Sequence, residues 1–363
     1  MTTTSATTPV PGTAATLRLG TRRSALATAQ SGMVAAQIEA ASVLAGRPVR
    51  VELVEVTTHG DVSGAPLSSF GGVGVFVSAL RDALLEGRVD LAVHSLKDLP
   101  TAPCPGLTLA AVPLREDPRD ALVSAEGLSL EELPAGARIG TGSPRRAAQL
   151  RAALPGVKIV DIRGNVDTRL RLVHDGELDA VVLAVSGLRR LGRDAEITQI
   201  LQPTVMLPAP GQGALGIECR DGDAAVLAAL APLDHPATRA AVVAERALLA
   251  TLEAGCAAPL GALAQVTTAP DATGELLGLQ AVVADTDGVV VLRRAGTAPV
   301  GRAEELGRRL AGELLEDGAA RLVAEASTGS DGPAHPAPEL PVPDQPAAGD
   351  RGRISTPAGE GDL

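Results

Sequence analysis

The sequence predicts an α/β protein followed by a smaller α+β domain. Three observations carry this. Strand-like and helix-like stretches alternate from Thr16 to Arg220, the pattern of α/β units. Several strand-like stretches are apolar throughout, as in AVVLAV (180–185), which fits burial on both faces of a largely parallel sheet. After Asp234 the alternation gives way to helix, hairpin and helix.

In chain order, TLRLGT (16–21) reads as a strand and an Ala-rich helix follows from Ser24 to Leu44. VRVELVEVTT (49–58) is a second strand, and VFVSALRDALLEG (75–87) a helix. VDLAVHS (89–95) is a short buried strand that runs into SLKDLP. The scheme repeats with ARIGT (137–141), a strand, then SPRRAAQLRAAL (143–154), a helix. VKIVDIRG (157–164), NVDTRLRLVHDG (165–176) and LDAVVLAV (178–185) continue it as strand, helix and strand, and GALGIECR (213–220) is a further strand. HPATRAAVVAERALLATLEAG (235–255) is one long helix. GELLGLQAVVADTDGVVVLRR (274–294) reads as an antiparallel hairpin around Asp287-Gly288. AEELGRRLAGELLEDGA (303–319) is a closing helix. The first 15 residues and the Pro/Gly-rich tail from 327 have too little apolar surface to offset their ordering entropy.

The bulk properties narrow the function. At 363 residues the chain is long enough for two to three domains. Its core must be aliphatic, because Phe70 and Phe76 are the only aromatic residues. Net charge is −11, of which the tail from 327 carries −4 and the rest −7. That balance argues against a nucleic-acid partner, which calls for a basic excess. No stretch approaches the ~20 apolar residues of a membrane helix, and the N-terminus lacks the basic and apolar regions of a secretory signal. Three cysteines, Cys104, Cys219 and Cys256, argue for a reducing, cytoplasmic setting rather than a disulfide framework. No metal-ligand spacing is present, so no metal is expected.

Four strand-to-helix junctions carry polar groups. They are GTRRSALA with Arg22, Arg23 and Ser24; HSLKDLP with Ser95, Lys97 and Asp98; GTGSPRRAAQL with Thr141, Ser143, Arg145 and Arg146; and DIRGNVDTRL with Arg163, Asn165 and Arg169. Ligands of open α/β sheets collect at the carboxyl ends of the strands, where helix N-termini favour anions and arginines bind carboxylates bidentately. Taken singly, each junction has a plainer reading. Ser24 and Ser143 are suited to N-capping, Lys97-Asp98 to a surface ion pair, and Cys256 to packing as a small hydrophobe. Taken together, basic junctions at equivalent positions in two α/β halves point to one pocket for a polyanion. GTGSPRR lacks the GKS/GKT ending of a phosphate loop, so a nucleotide site is not expected.

The motifs GTRRSALA, VELVEVTTHGD, AVHSLKDLP, REDPRDALVS, GTGSPRRAAQL, IRGNVDTRL, AVSGLRRLG, LPAPGQGALGIECR and LEAGCAAPLG occur in this order between Leu17 and Ala326. In these the chain closely resembles the porphobilinogen deaminase (hydroxymethylbilane synthase) family. The resemblance implies two type II periplasmic-binding-protein-like α/β domains, the chain crossing back into the first near PGQGALGIECR, and a third domain bearing the LEAGC cysteine. The expected boundaries are 16–113 with 208–231 for the first domain, 114–207 for the second and 232–326 for the third. It implies a transferase that condenses four porphobilinogen molecules head to tail, with loss of ammonia, onto a dipyrromethane cofactor held by Cys256 through a thioether. Hydrolysis then releases hydroxymethylbilane for tetrapyrrole synthesis.

By motif match, Asp98 is the catalytic carboxylate. Lys97, Ser24, Thr141, Ser143, Arg145, Arg146 and Arg169 bind the cofactor, and Arg22, Arg163, Ser95, Phe76 and Gln212 the substrate. Phe76 is equally suited to ordinary core packing. The chain departs from common family patterns at Val73, His59 and Pro144, which puts loop contacts to the growing product in question. The family implies a monomer with porphobilinogen as its small-molecule partner. A binding module of the same fold would need the arginines but neither Asp98 nor Cys256. A cysteine hydrolase would need a histidine poised at the thiol, and none of the five histidines falls in such a motif.

Overall fold

The computed structural model describes residues 15–56, 74–254, 258–268 and 274–328, with the side chains of 74–76, 327 and 328 left undescribed. The described residues belong to one compact unit ending at Thr328; a second unit, Gly329–Leu363, lies outside them.

Two five-stranded sheets and one three-stranded sheet organise this unit. The first contains β1 (Ala15–Thr21), β2 (Val49–Glu55), β3 (Leu91–Ser95), β4 (Leu107–Ala111) and a late strand, Leu215–Arg220, in the order β2-β1-β3-late strand-β4. The second contains β5 (Asp120–Ser124), β6 (Arg138–Gly140), β7 (Lys158–Val160), β8 (Ala180–Ala184) and β9 (Gln199–Ile200), in the order β7-β6-β8-β5-β9. The late strand is β10. In each sheet two pairings are parallel and two antiparallel, because β10 and β5 each run against both neighbours. Four of the five strands in each sheet therefore run the same way, in line with largely parallel sheets, and β10 and β5 are the exceptions. A strand's residue pattern reports which faces are buried and not which way it runs.

Helices cover both faces of each sheet. On β3, Leu91 and Val93 join Val34 and Ile38 of helix α1 (Ala25–Leu44) in one cluster. Ala92 joins Leu80, Ala83 and Leu84 of α2 (Gly74–Leu85) in another. This is the period-two alternation of a strand. The second sheet repeats it. Leu122 and Val182 meet Leu150 of α3 (Pro144–Ala153). Val123 and Val181 meet Leu170 and Val173 of α4 (Val166–His174), together with Leu188 of α5 (Val185–Arg190). Each fully buried Leu or Ile contributes ~1.5–3 kcal/mol of transfer free energy, so an aliphatic core is sufficient without aromatics.

Helix starts follow local chemistry. Ser24 caps α1 by accepting from the Ala27 N–H, and Asn165 caps α4 by accepting from the Thr168 N–H. Ser143 stands at the N-cap position of α3 without a side-chain cap bond, and Pro144 occupies the first turn.

The last third holds α6 (Ala224–Leu230), α7 (Pro236–Thr251), the antiparallel sheet β11 (Leu260–Thr268), β12 (Glu275–Ala284) and β13 (Val291–Pro299), and helices α8 (Ala303–Glu316) and α9 (Ala319–Thr328). The hairpin expected around Asp287-Gly288 is β12–β13. Ala241, Ala244, Leu248 and Leu252 from α7 and its end pack with β11, β12 and α8 in one core.

Candidate functional site

The site is built where the first two sheets face each other. β3 ends at Ser95 and passes directly into a 3-10 turn, Leu96–Asp98. Leu96 is buried and anchors the turn, its N–H donating to the Ala214 carbonyl. Lys97 is half-buried and Asp98 exposed. Gly211 presses on the back of the turn. A Cβ there would lie 3.1 Å from the Leu96 carbonyl carbon and the Lys97 nitrogen, and its φ of +75° is in the left-handed region, where glycine alone is unstrained.

The second sheet supplies arginines. Arg145 and Arg146 open α3, both about 95% buried, and converge on the fully buried Asp120 at the start of β5. Asp120 Oδ1 accepts from Arg146 Nε (3.1 Å) and Nη2 (2.7 Å), while Oδ2 lies 2.8 Å from Arg145 Nη2. Gln212 Nε2 also donates to Asp120 Oδ1 (2.8 Å) and to the Pro118 carbonyl (2.8 Å). Burial alone would raise the Asp120 carboxyl, but the two guanidiniums outweigh it and hold it at about 2. Arg146 further donates to the Val182 carbonyl, and Arg145 to the Leu207 carbonyl.

Electrostatic coupling ties the two sheets together. Burial, then repulsion from Arg146 and Arg145, drives the Lys97 ammonium below its ordinary pKa, against the attraction of Asp98 and Asp120. Arg169 is lowered by burial and by its neighbours Arg146 and Arg163, against Asp161. Arg145 is likewise lowered by burial and by Arg146, against Asp120. Lys97 thus acts on the same electrostatic neighbourhood as Arg145, Arg146 and Asp120, and Arg169 on that of Arg146, Arg163 and Asp161.

Other expected residues have more local settings. Thr141 is buried, and its hydroxyl accepts from the Ser143 N–H (3.2 Å). Ser95 Oγ hydrogen-bonds Gln30 of α1 (3.1 Å). Arg163 is exposed beside Asp161, and Arg169 Nε donates to the Gly164 carbonyl (3.0 Å). Arg22 is half-buried; its carbonyl accepts from the Thr21 and Thr28 hydroxyls. Cys256, His59, Val73 and the side chain of Phe76 lie outside the described residues. Cys219 is buried, and burial chiefly pushes its thiol up to about 11, which disfavours the nucleophilic thiolate.

Four charged residues escaped the sequence reading. Asp120 sits within REDPRDALVS, where nothing in a run of charges marks the one that becomes buried. Glu245 and Arg246 are adjacent on α7. Glu245 is fully buried and pairs bidentately with Arg115 (2.7 and 3.0 Å), and it also accepts from the Gly211 and Ala264 N–H groups. It therefore ties both segments that cross between the first two sheets to the third domain. Behind the turn, the Glu218 carboxylate lies between Arg81 and His94; burial would raise it, but these partners hold it at about 2.

Among the described residues, no cluster of His, Cys, Asp and Glu is arranged to hold a metal ion, and no helix is long and apolar enough to cross a membrane.

Known proteins and family models place the chain in one family. Residues 17–228 match the family model described as porphobilinogen deaminase, dipyromethane cofactor binding domain, and residues 239–316 match porphobilinogen deaminase, C-terminal domain. The chain is 58% identical over 322 residues to the porphobilinogen deaminase of Nocardia farcinica, covering 87% of this chain and 91% of that protein. It is 57% identical over 317 residues to porphobilinogen deaminase 1 of Streptomyces coelicolor, covering 85% and 98%. Among solved structures, the periplasmic aliphatic sulphonate binding protein of Escherichia coli aligns at 15% identity with a TM-score of 0.36, covering 66% of this chain and 70% of that one. With two family models spanning most of its length and relatives above half identity, the chain belongs to the porphobilinogen deaminase family.

Proposed function

We propose that the paired sheets bind the acetate and propionate groups of pyrroles, and that Asp98 drives the condensation of porphobilinogen at the mouth of this site. The observation that carries this is the buried Arg145–Asp120–Arg146 cluster of the second sheet, to which Lys97, beside Asp98 on the turn of the first sheet, is electrostatically coupled. The chain works as a cytosolic monomer with the domain boundaries given above, and Cys256 anchors the dipyrromethane cofactor.

The residues present fit such a cofactor. Among the described residues, the acids coupled to Lys97, Arg145 and Arg169 are Asp98, Asp120 and Asp161, with Arg146 and Arg163 adding positive charge. The excess positive charge calls for bound carboxylates. Arg145 Nε and Gln212 Oε1 are buried without a hydrogen-bond partner, a donor for a carboxylate and an acceptor for a pyrrole N–H; buried orphans of this kind call for a ligand. When bound, the dipyrromethane supplies the pyrrole α-carbon onto which the chain grows.

Asp120 holds Arg145 and Arg146 in place, so their charge is preorganised rather than gathered at the moment of binding. Thr141 and Ser143 shape the loop before α3, and Ser24 the start of α1. Arg22, Ser95, Phe76 and Arg163 are assigned to the incoming substrate. As ammonia leaves the aminomethyl carbon of porphobilinogen, positive charge spreads over that pyrrole. The Asp98 carboxylate, fixed near the ring N–H, stabilises this charge and takes part in the accompanying proton transfers.

Intact-mass measurement of protein from cells that make porphobilinogen tests the anchor. The wild type should carry a two-pyrrole adduct, and Cys256→Ser should lack it. An unmodified wild-type mass, or an adduct that survives Cys256→Ser, refutes the assignment.

A further inference from the structure

Helix α7 is shared between two bodies. One face packs into the third domain through Ala241, Ala244, Leu248 and Leu252 at its end. The other carries Arg239, Val242 and Arg246, whose spacing of three and four residues puts them in a line. Val242 is buried in a cluster with Val77, Leu96, Leu99, Val112 and Ala214 of the first domain. Arg239 Nη2 donates to the Leu109 and Ala110 carbonyls.

Arg246 reaches further. Its Nη1 donates to the Leu99 carbonyl (2.7 Å) and more weakly to that of Leu96 (3.4 Å), and its Nη2 donates to the Pro100 carbonyl (2.6 Å). These three carbonyls bracket Lys97 and Asp98. The hydrogen bonds of the guanidinium go to these carbonyl oxygens, while the Glu218 carboxylate attracts it from further off. A planar fork of five N–H donors is the one side chain able to hold several carbonyls in a fixed arrangement. The same helix ends at Thr251, shortly before Cys256 in sequence.

We infer that Arg246 is a positioning residue for the condensation. It fixes the turn that carries Asp98 to the helix that leads to the cofactor anchor, and so sets the carboxylate's place relative to the growing chain. The inference rests on the reading of Asp98 as the catalytic carboxylate. Arg246 touches no substrate; it acts through the backbone of Leu96–Pro100. Displacements of about 1 Å at a reacting group cost on the order of 100-fold in rate, which sets the scale of the effect.

The test compares Arg246→Met, Arg246→Lys and Arg239→Met with the wild type, each purified with its adduct verified by intact mass. Arg246→Met should lower kcat roughly 10- to 100-fold with KM within about threefold. Arg246→Lys should recover part of the loss, and Arg239→Met, which leaves the turn untouched, should stay near wild type. Amide exchange at Lys97, Asp98 and Leu99 should speed up in Arg246→Met, with that of the second sheet unchanged. Unchanged kcat or unchanged exchange in loaded Arg246→Met overturns the inference; equal losses in Arg246→Met and Arg239→Met overturn it too, by showing a general docking defect. If Arg246→Met does not fold, Arg246→Lys is read by the same kcat, KM and exchange criteria. Asp98→Asn run alongside separates the two levels: normal turnover there removes the underlying reading, whereas a dead Asp98→Asn beside a normal Arg246→Met removes only this inference.

Discussion

Replacing Asp120 by asparagine isolates the charge that organises the arginine pair. The change keeps the shape of the side chain and one oxygen to accept from Gln212. It leaves Arg145 and Arg146, both about 95% buried, without their shared counter-ion. The Asp120 carboxyl is held at about 2 against an ordinary value of 3.8, which corresponds to roughly 2 kcal/mol of stability at neutral pH. Breaking a buried ion pair by removing one partner costs about 3–5 kcal/mol, so we expect a loss between these figures. At ~2.1 cal/mol/K of unfolding entropy per residue, a chain of 363 residues shifts by about 1.5 °C per kcal/mol, so the midpoint of thermal unfolding should fall by roughly 3–8 °C.

The pH dependence has a definite sign. A carboxyl depressed in the folded state stabilises fully above its unfolded pKa, and the contribution fades as pH falls through the folded value. The difference between wild type and Asp120→Asn should therefore be constant above pH 4 and shrink between about 4 and 2. Scanning calorimetry with a pH series reads both effects. A midpoint within a degree of wild type at pH 7, or a difference that grows on acidification, refutes the reasoning.

Glu245→Gln should destabilise by about 3–5 kcal/mol, because Arg115 loses its counter-ion in a fully buried setting; urea unfolding checks this, and a loss below about 1 kcal/mol contradicts it. On α8, a Cβ at Gly307 would lie 2.3 Å from the Ala244 carbonyl oxygen of α7, whereas one at Gly312 meets nothing within 4 Å. Gly307→Ala should therefore cost about 1–3 kcal/mol, while Gly312→Ala should stabilise by up to about 1 kcal/mol through helix propensity. Equal effects at the two positions would show that helix propensity, and not the close crossing of α7 and α8, governs both.

The fold was legible where local chemistry decides it. Ser24 marks the start of α1, the apolar run at 180–185 marks a strand covered on both faces, and the polar junctions mark the ends of strands that line the cleft. Strand direction was not legible, since an apolar run reads the same parallel or antiparallel; hence the reversed course of β10 was not foreseen, and β5 was not read as a strand at all. β9, with two residues, lacks the length to stand out from the crossing it borders, and β4 was not read as a strand although it is as long as β3.

At the site, the sequence marks the cations better than their supports. Asp120 is one of several charged residues in REDPRDALVS and is singled out only by the meeting of β5 with α3. Glu245 and Arg246 lie mid-helix, where charge normally signals a solvated face. Here the helix is enclosed by two domains, so its charged residues become the ties between them. Motif matching brings forward residues that touch ligand, while the residues that hold those in place emerge from three-dimensional contacts.

The central claim is that Asp98, set in the cationic cluster, drives addition of porphobilinogen to a protein-bound primer. The most direct measurement follows the intact mass of adduct-bearing protein after mixing with porphobilinogen. The wild type should advance in steps of one pyrrole unit before returning to its starting mass, and Asp98→Asn should keep its starting adduct and advance little or not at all. Stepwise growth in Asp98→Asn at the wild-type rate would contradict the account.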